Sequence, residues 1–141
     1  NMGEEAATKK ALETIRSHVA EIAGLSAADV EGYRKKLEER LRGLLGEIPV
    51  DENRLLTECA IFADRISIDE EIVRLRSHND AFAATALADG PVGRKLDFLI
   101  QEMNREVNTI GSKCQNAATA RLVVECKCEL EKIREQIQNI D

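Results

Sequence analysis

The chain has 141 residues, of which 43% are hydrophobic, 33% are charged and only 3% are aromatic. Its net charge of −6 argues against bulk electrostatic attraction to nucleic acid, and no apolar run approaches the roughly 20 residues that a membrane-spanning helix needs. Few aromatic residues, two prolines and no alternating strand pattern favour helices over sheet. The sequence therefore predicts an all-α protein of about six helices.

Two amphipathic helices are predicted at the start of the chain, at residues 4–24 and 27–46. Gly24-Leu25-Ser26 lies between them and is expected to form a turn, in which Ser26 would cap the second helix. The two helices would then form a projecting antiparallel hairpin. Apolar residues at helical spacing support both helices: Leu12, Ile15, Val19 and Ile22 in the first, and Val30, Tyr33, Leu37, Leu41 and Leu44 in the second.

Pro49 interrupts the helical pattern and predicts a boundary between two units. We expect residues 1–48 to form the hairpin arm and residues 49–141 to form a compact helical domain. The arm is expected to be structural, as a spacer, a hinge or an oligomer contact.

The compact domain is predicted to begin with helices at residues 51–66 and 68–88. Ser67 and Glu70 have the spacing of a capping box at the start of the second of these helices. The sequence Asp89-Gly90-Pro91 is a strong signal for the end of the same helix.

A fifth helix is expected from Val92 to Ile110, where Gly111-Ser112 would interrupt it, and a sixth is expected to start at Asn116 or Ala117. Apolar residues in the sixth helix repeat at coiled-coil-like spacing. They are Val123, Cys126, Leu130, Ile133, Ile137 and Ile140.

The four cysteines lack the spacing of a zinc site, because Cys126 and Cys128 are two residues apart on a predicted helix and point in different directions. Free thiols are typical of a reducing compartment. We therefore expect a cytoplasmic protein.

The fifth predicted helix has an unusual polar surface. The C-terminal third of the chain, which contains most of this helix, is less acidic than the rest, with 8 basic and 7 acidic residues in 94–140. Its apolar face consists of Leu96, Leu99, Ile100, Met103, Val107 and Ile110. The remaining surface presents Arg94, Phe98, Gln101 and Arg105 opposite that face, Lys95, Glu102 and Glu106 on one flank, and Asp97, Asn104 and Asn108 on the other.

Phe98 is predicted to be exposed among charged groups, which is unfavourable unless something covers it. Basic side chains beside an exposed ring are typical of surfaces that bind phosphates and stack bases. The sequence thus predicts RNA binding through Arg94, Lys95, Phe98 and Arg105. The alternative is that Phe98 packs against another subunit or against the hairpin.

Glu102 and Glu106 are four residues apart on one helix face, where two carboxylates repel each other. A divalent cation between them would remove that repulsion, and Mg²⁺ or Mn²⁺ suits carboxylate oxygens and can activate water. We therefore expect a metal site at these two residues. The alternative is a pair of solvated or salt-bridged acids.

Glu71, Arg74 and His78 share one edge of the fourth predicted helix. Glu71 is a further candidate metal ligand, and Arg74 could contact a phosphate. His78 could bind metal or transfer a proton, because histidine changes charge near neutral pH. The alternative is a hydrogen-bonded structural histidine.

Three long segments, "ECAIFADRISIDEEIVRLRSHNDAF", "GPVGRKLDFLIQEMNREVNTIGSK" and "RLVVECKCELEKIREQIQN", resemble the C-terminal region of the YicC-like bacterial endoribonucleases. The resemblance covers residues 50–141 densely, and the preceding helices resemble the middle segment of that family. It implies a divalent-metal-dependent endoribonuclease that assembles as a hexamer, in which this chain is a C-terminal fragment without the N-terminal domain. The family motif matches Asp64, Glu71, Arg74, His78, Arg94, Lys95, Asp97, Gln101, Glu102, Asn104, Arg105, Glu106 and Asn108.

Two functions follow from the sequence. The first is RNA phosphodiester hydrolysis, with His78, Glu102 and Glu106 as catalytic residues. The second is a non-catalytic oligomerisation or RNA-binding module, with the chemistry in the absent N-terminal domain.

Overall fold

A computed structural model describes residues 2–88 and 92–138, and within these ranges it contains helices and no strands. The all-α class predicted from the sequence is confirmed. The described residues form five helices rather than six. These are α1 (Met2–Leu45), α2 (Glu52–Ile66), α3 (Asp69–Ala86), α4 (Gly93–Lys113) and α5 (Ala117–Gln138).

The predicted turn at Gly24–Ser26 is wrong, because α1 is one continuous helix of 44 residues. Glycine inside a helix costs about 1 kcal/mol relative to alanine, and tertiary contacts of the residues that follow Gly24 offset that cost. Leu25 packs against the hydrophobic core. Asn116 Nδ2 donates a hydrogen bond of 2.9 Å to Asp29 Oδ2, which ties the same stretch of α1 to the start of α5.

The first half of α1 forms a four-helix bundle with α3, α4 and α5. In this bundle α1 lies beside α3 and α5, and α4 packs against the same two helices. Neighbouring helices run antiparallel. Residues buried in the shared core include Ile15, Val19 and Ile22 of α1, Leu75 and Phe82 of α3, Ile100, Met103 and Val107 of α4, and Cys126, Leu130 and Ile133 of α5.

The second half of α1 pairs with α2, and we call these two segments the outer pair. The rings of Tyr33 and Phe62 stack across it, with centroids 3.9 Å apart and an interplanar angle of 7°. Gly46 allows the chain to reverse, because its φ of 63° is accessible to glycine without strain. An antiparallel helical pair therefore exists, but its two helices are not the two predicted. The division of the chain at residue 48 stays a prediction.

The predicted capping box at the start of α3 does not form. Ile68 occupies the N-cap position without a side-chain hydrogen bond, and acidic residues in the first turn of α3 complement the helix dipole instead. The backbone carbonyl of Ser67 accepts a 3.0 Å hydrogen bond from Lys113 Nζ. The predicted stop at 89–91 lies outside the described residues, and α3 itself ends at Ala86.

Gly111 and Ser112 do not interrupt α4, which continues to Lys113. A Cβ atom on Gly111 would lie 3.2 Å from Val123 Cγ1, so glycine permits the close approach of α4 and α5 here. The start of α5 at Ala117 agrees with the prediction, and Asn116 Oδ1 caps it by accepting from the Thr119 N–H at 2.6 Å. None of the described helices is long and apolar enough to cross a membrane.

Candidate metal and nucleic-acid site

The helices α3 and α4 run antiparallel, and their polar edges face each other at the rim of the bundle. Two ion pairs fix the register of these edges. Lys113 Nζ lies 3.0 Å from Glu71 Oε1, and Arg74 Nη1 lies 3.9 Å from Glu106 Oε2. One further turn along both helices, the same register brings the three residues predicted to be catalytic together.

His78 of α3 and Glu102 and Glu106 of α4 form a compact group, which we call the His–Glu–Glu cluster. One ligand atom from each residue lies within 4.8 Å of the other two. The two glutamates come from successive turns of α4, as their spacing predicts, whereas the approach of His78 depends on the pairing of α3 with α4. Glu106 is buried, and His78 and Glu102 are partly exposed.

The Glu106 carboxylate makes few contacts with other side chains. Only 6% of its side chain is exposed, and within the described residues its one polar contact is the 3.9 Å ion pair with Arg74. It accepts no hydrogen bond there, and its oxygens are not closed off from solvent at the rim of the bundle. His78 likewise has no hydrogen bond or ion pair within the described residues. The three ligand atoms of the cluster therefore lie close together and have few other partners among the described residues.

Glu71 differs from the clustered acids. Its side chain is 8% exposed, but its Oε1 is only 3.0 Å from the ammonium group of Lys113. The structure does not bring Glu71 into the His–Glu–Glu cluster, so its predicted role as a metal ligand lacks geometric support. The sequence pattern did not identify Lys113 as a partner of Glu71. Lys113 lies seven residues after Glu106 and therefore on the same edge of α4.

Two arginines flank the cluster. Arg74 Nη2 also lies 3.7 Å from Glu70 Oε1, and Arg105 Nη2 lies 3.6 Å from Glu102 Oε1. Both arginine side chains are more than half exposed, which weakens these ion pairs. Each guanidinium could therefore turn towards an anion without creating an empty space inside the protein.

Phe98 is exposed as predicted, with 56% of its surface accessible in this chain. It lies on the surface of α4 between the cluster and the start of the helix. Arg94 and Lys95 are also exposed and have no ion pair within the described residues. One face of α4 thus combines an accessible ring with two exposed positive charges.

A shallow, open patch on the exposed surface of α4 lies beside the cluster, and we call this patch the groove. Its walls are uncharged polar side chains and a single arginine. They are Gln101, Asn104, Arg105, Asn108, Thr109 and Ser112.

The donor set of the cluster fits a hard or borderline divalent cation. Two ligands at about 2.1 Å from one cation lie at most about 4.2 Å apart, so the observed separation of up to 4.8 Å requires only small side-chain rotations. The convergence of the three ligand atoms, with only a 3.9 Å ion pair from Arg74 to Glu106 among the described residues, is the observation that favours a cation over a simple ion pair.

The four cysteines are free thiols and form no metal site with the described histidines or acids. Burial raises the pKa of Cys126 to about 12, and the nearby carboxylates of Glu125 and Glu129 act in the same direction. This thiol is a core side chain rather than a nucleophile.

Residues 22–141 match the family model described as "Endoribonuclease YicC-like, C-terminal". The chain is 55% identical over 128 residues to a Clostridioides difficile (strain 630) protein named "Probable endoribonuclease YicC", an alignment that covers 90% of this chain and 44% of that protein. A Haemophilus influenzae protein of the same name is 35% identical over 130 residues, which cover 92% of this chain and 45% of that protein. The chain therefore spans less than half the length of these two relatives.

Proposed function

Because this chain belongs to the YicC-like endoribonuclease family, we propose that it forms the hydrolytic part of an endoribonuclease that cuts RNA phosphodiester bonds. The observation that carries this proposal is the convergence of His78, Glu102 and Glu106 beside exposed arginines. The name of both relatives, probable endoribonuclease, supports the same reaction.

The proposed cofactor is a divalent cation held by the His–Glu–Glu cluster. Such a cation, when bound, lowers the pKa of water and offsets charge that develops on phosphate oxygens. The two carboxylates suit Mg²⁺ or Mn²⁺, and the imidazole favours Mn²⁺ because Mg²⁺ is bound chiefly by oxygen. Glu71 is not needed in this arrangement, because Lys113 already neutralises it.

The surrounding residues would bind and orient the RNA strand. Arg74 and Arg105 lie beside the two clustered glutamates, where they can contact the phosphate that is cut. Phe98 offers an exposed face on which a base can stack. Arg94 and Lys95 extend the positive surface towards the start of α4 and would bind neighbouring phosphates.

His78 has two proposed roles, which depend on the ring nitrogen that faces the cluster. One nitrogen can bind the cation, and the imidazole can alternatively deliver a proton to the departing oxygen. In His78→Gln, a changed pH dependence of the rate between about pH 5 and 8 with unchanged Mn²⁺ affinity would support proton transfer, whereas a loss of Mn²⁺ affinity would support metal binding.

Self-association is a separate part of the proposal, and the family resemblance implies a hexamer. The outer pair and the loop that follows α1 leave large apolar side chains exposed, among them Leu44, Ile48 and Leu56. Such side chains usually need cover when they are grouped. A strict monomer in sedimentation of the full-length protein at tens of micromolar would contradict the assembly proposal.

The four free thiols also fit the predicted cytoplasmic location.

The proposed reaction is tested by cleavage of a short single-stranded RNA by the full-length protein in Mn²⁺, Mg²⁺ or EDTA. We expect cleavage in Mn²⁺ and none in EDTA. Glu102→Gln and Glu106→Gln should abolish cleavage while RNA affinity stays near that of the parent, because each change removes a charge but keeps the shape.

Glu71→Gln is the matched control, because it removes a buried carboxylate of the same interface that lies outside the cluster. Cleavage by this variant should persist. If both cluster variants cut RNA at the parental rate, the chemistry lies outside this chain, and the residues described here form an RNA-binding or assembly module.

A further inference from the structure

The groove on α4 contains hydrogen-bonding groups that the proposed hydrolytic site does not use. Asn104 and Asn108 point from successive turns, and within the described residues neither side-chain amide has a hydrogen bond. Each amide offers both a donor and an acceptor. Accessible amides of this kind can hydrogen-bond an external ligand that offers groups of both kinds.

The other groove residues add acceptors rather than charge. Gln101 Nε2 donates to Asp97 Oδ2 at 3.1 Å, which leaves the Gln101 side-chain carbonyl available. The hydroxyls of Thr109 and Ser112 donate to backbone carbonyls of α4, so their oxygens remain as acceptors. A phosphate requires donors and positive charge, and a groove with this many acceptors is a poor phosphate site.

Arg105 connects the groove to the His–Glu–Glu cluster. It lines the groove, and its guanidinium also lies 3.6 Å from Glu102 Oε1. Since α4 with its side chains is only about 10–12 Å across, a strand that passes over Arg105 from the cluster enters the groove within a few nucleotides. The groove thus lies beside the path of the proposed substrate.

We propose that Asn104 and Asn108 bind the ribose 2′-hydroxyls of nucleotides adjacent to the cut, and thereby select RNA over DNA. A 2′-hydroxyl is both a donor and an acceptor and distinguishes the two nucleic acids, so it matches the paired donors and acceptors of the amides. The groove is too shallow and open to enclose a base or a small molecule, whereas ribose edges of an extended strand can lie across it. This inference rests on the proposed ribonuclease function.

The test uses the full-length protein and a set of single-stranded RNAs, each with a 2′-deoxy nucleotide at one position around the cut. Binding is measured by fluorescence anisotropy in EDTA, and cleavage in Mn²⁺. For the parent, we expect one or two deoxy positions near the cut to weaken binding by about 3- to 10-fold, the usual effect of losing a neutral hydrogen bond.

The Asn104→Ala/Asn108→Ala double variant should bind the all-RNA strand more weakly by a similar factor and should lose its sensitivity to deoxy substitution at those positions. Phe98→Ala is the matched control, because it should weaken the binding of every strand and keep the sensitivity to deoxy substitution. Far-UV circular dichroism checks that each variant is folded.

Two results would overturn the inference. One is a parent that binds every deoxy-substituted strand as tightly as it binds the all-RNA strand, even if base substitutions weaken binding. The other is a double variant that keeps the parental deoxy sensitivity. Both are distinct from failure of the proposed function, which would appear as absent metal-dependent cleavage of the all-RNA strand by the parent.

Discussion

Glu71 and Glu106 are both buried acids on the facing edges of α3 and α4, and among the described residues only Glu71 accepts a hydrogen bond. Lys113 Nζ donates to Glu71 Oε1 at 3.0 Å, whereas the ion pair that Glu106 makes within the described residues, with Arg74 Nη1, is 3.9 Å long. A fully compensated carboxylate contributes to folding, and an undercompensated one opposes it. This contrast separates a structural acid from a candidate ligand.

The first prediction concerns the free energy of unfolding without metal. Glu71→Gln removes a charge-assisted hydrogen bond and should lower that free energy by about 1–3 kcal/mol. Glu106→Gln relieves a poorly paired buried charge and should leave it unchanged or raise it by up to about 1 kcal/mol. Urea unfolding in EDTA measures both variants. A larger loss for Glu106→Gln than for Glu71→Gln would show that Glu106 is a structural acid.

The second prediction tests the continuity of α1. A Cβ atom at Gly24 would have no heavy atom within 4 Å, and the residue has helical backbone. Gly24→Ala should therefore raise the free energy of unfolding by about 0.5–1 kcal/mol. Gly46→Ala is the control, because the φ of 63° at Gly46 strains any other residue, and this change should be destabilising by about 1 kcal/mol. Loss of stability in Gly24→Ala would favour the turn expected from the sequence.

Local pattern predicted most of the bundle, because burial follows helical spacing in α4 and α5. The stripes from Leu96 to Ile110 and from Val123 to Ile137 are buried as expected. Ile140 lies outside the described residues. Local pattern failed where tertiary contacts decide the outcome. The sequence Gly24-Leu25-Ser26 resembles a turn, but contacts of Leu25 and Asp29 with the rest of the fold keep it helical.

The candidate site was predictable to the same extent. Glu102 and Glu106 follow from spacing on one helix, and the exposure of Phe98 follows from its angle relative to the apolar face. The pairing of Glu71 with Lys113 does not follow, because these residues are 42 positions apart and meet only through the register of α3 against α4. The same register places Lys113 beside Glu71 and leaves Glu106 without a hydrogen-bond donor among the described residues.

The third prediction uses the raised pKa of Cys126, which burial brings to about 12. The folded pKa exceeds the unfolded value of about 8.5, so the folded chain holds the proton more tightly between these two values. The stabilisation is complete below about pH 8.5 and is lost as the pH rises towards 12. The difference in unfolding free energy between the parent and Cys126→Ala should therefore shrink by about 2 kcal/mol from pH 8 to pH 10.

Val123→Ala is the control for this measurement, because it opens space in the same core without removing a titratable group. Its difference from the parent should stay constant over the same pH range. If the Cys126→Ala difference also stays constant, the thiol does not stay protonated inside the folded chain.

The fourth prediction concerns RNA affinity and its dependence on salt. Arg94→Ala and Arg105→Ala should each weaken binding and reduce the slope of log affinity against log salt by about 0.7, the value for one phosphate contact on a single strand. Phe98→Ala should cost about 1–3 kcal/mol of stacking with little change in slope. Anisotropy titrations at several salt concentrations distinguish these effects. Parental affinity in all three variants would show that this face of α4 does not bind RNA.

The fifth prediction links metal binding to folding. A cation that binds only the folded chain stabilises it by about 2.7 kcal/mol at a concentration 100 times its Kd. We expect Mn²⁺ to raise the thermal unfolding midpoint of the parent and of Glu71→Gln by similar amounts, because Glu71 already has Lys113 as its partner. The midpoints of Glu102→Gln and Glu106→Gln should not respond, because each change removes a cluster ligand. Calorimetric titration with Mn²⁺ provides a second measurement that is independent of RNA cleavage. If Glu71→Gln abolishes the response and Glu106→Gln retains it, the cation binds at the other end of the α3–α4 interface and the assignment of the two acids is reversed.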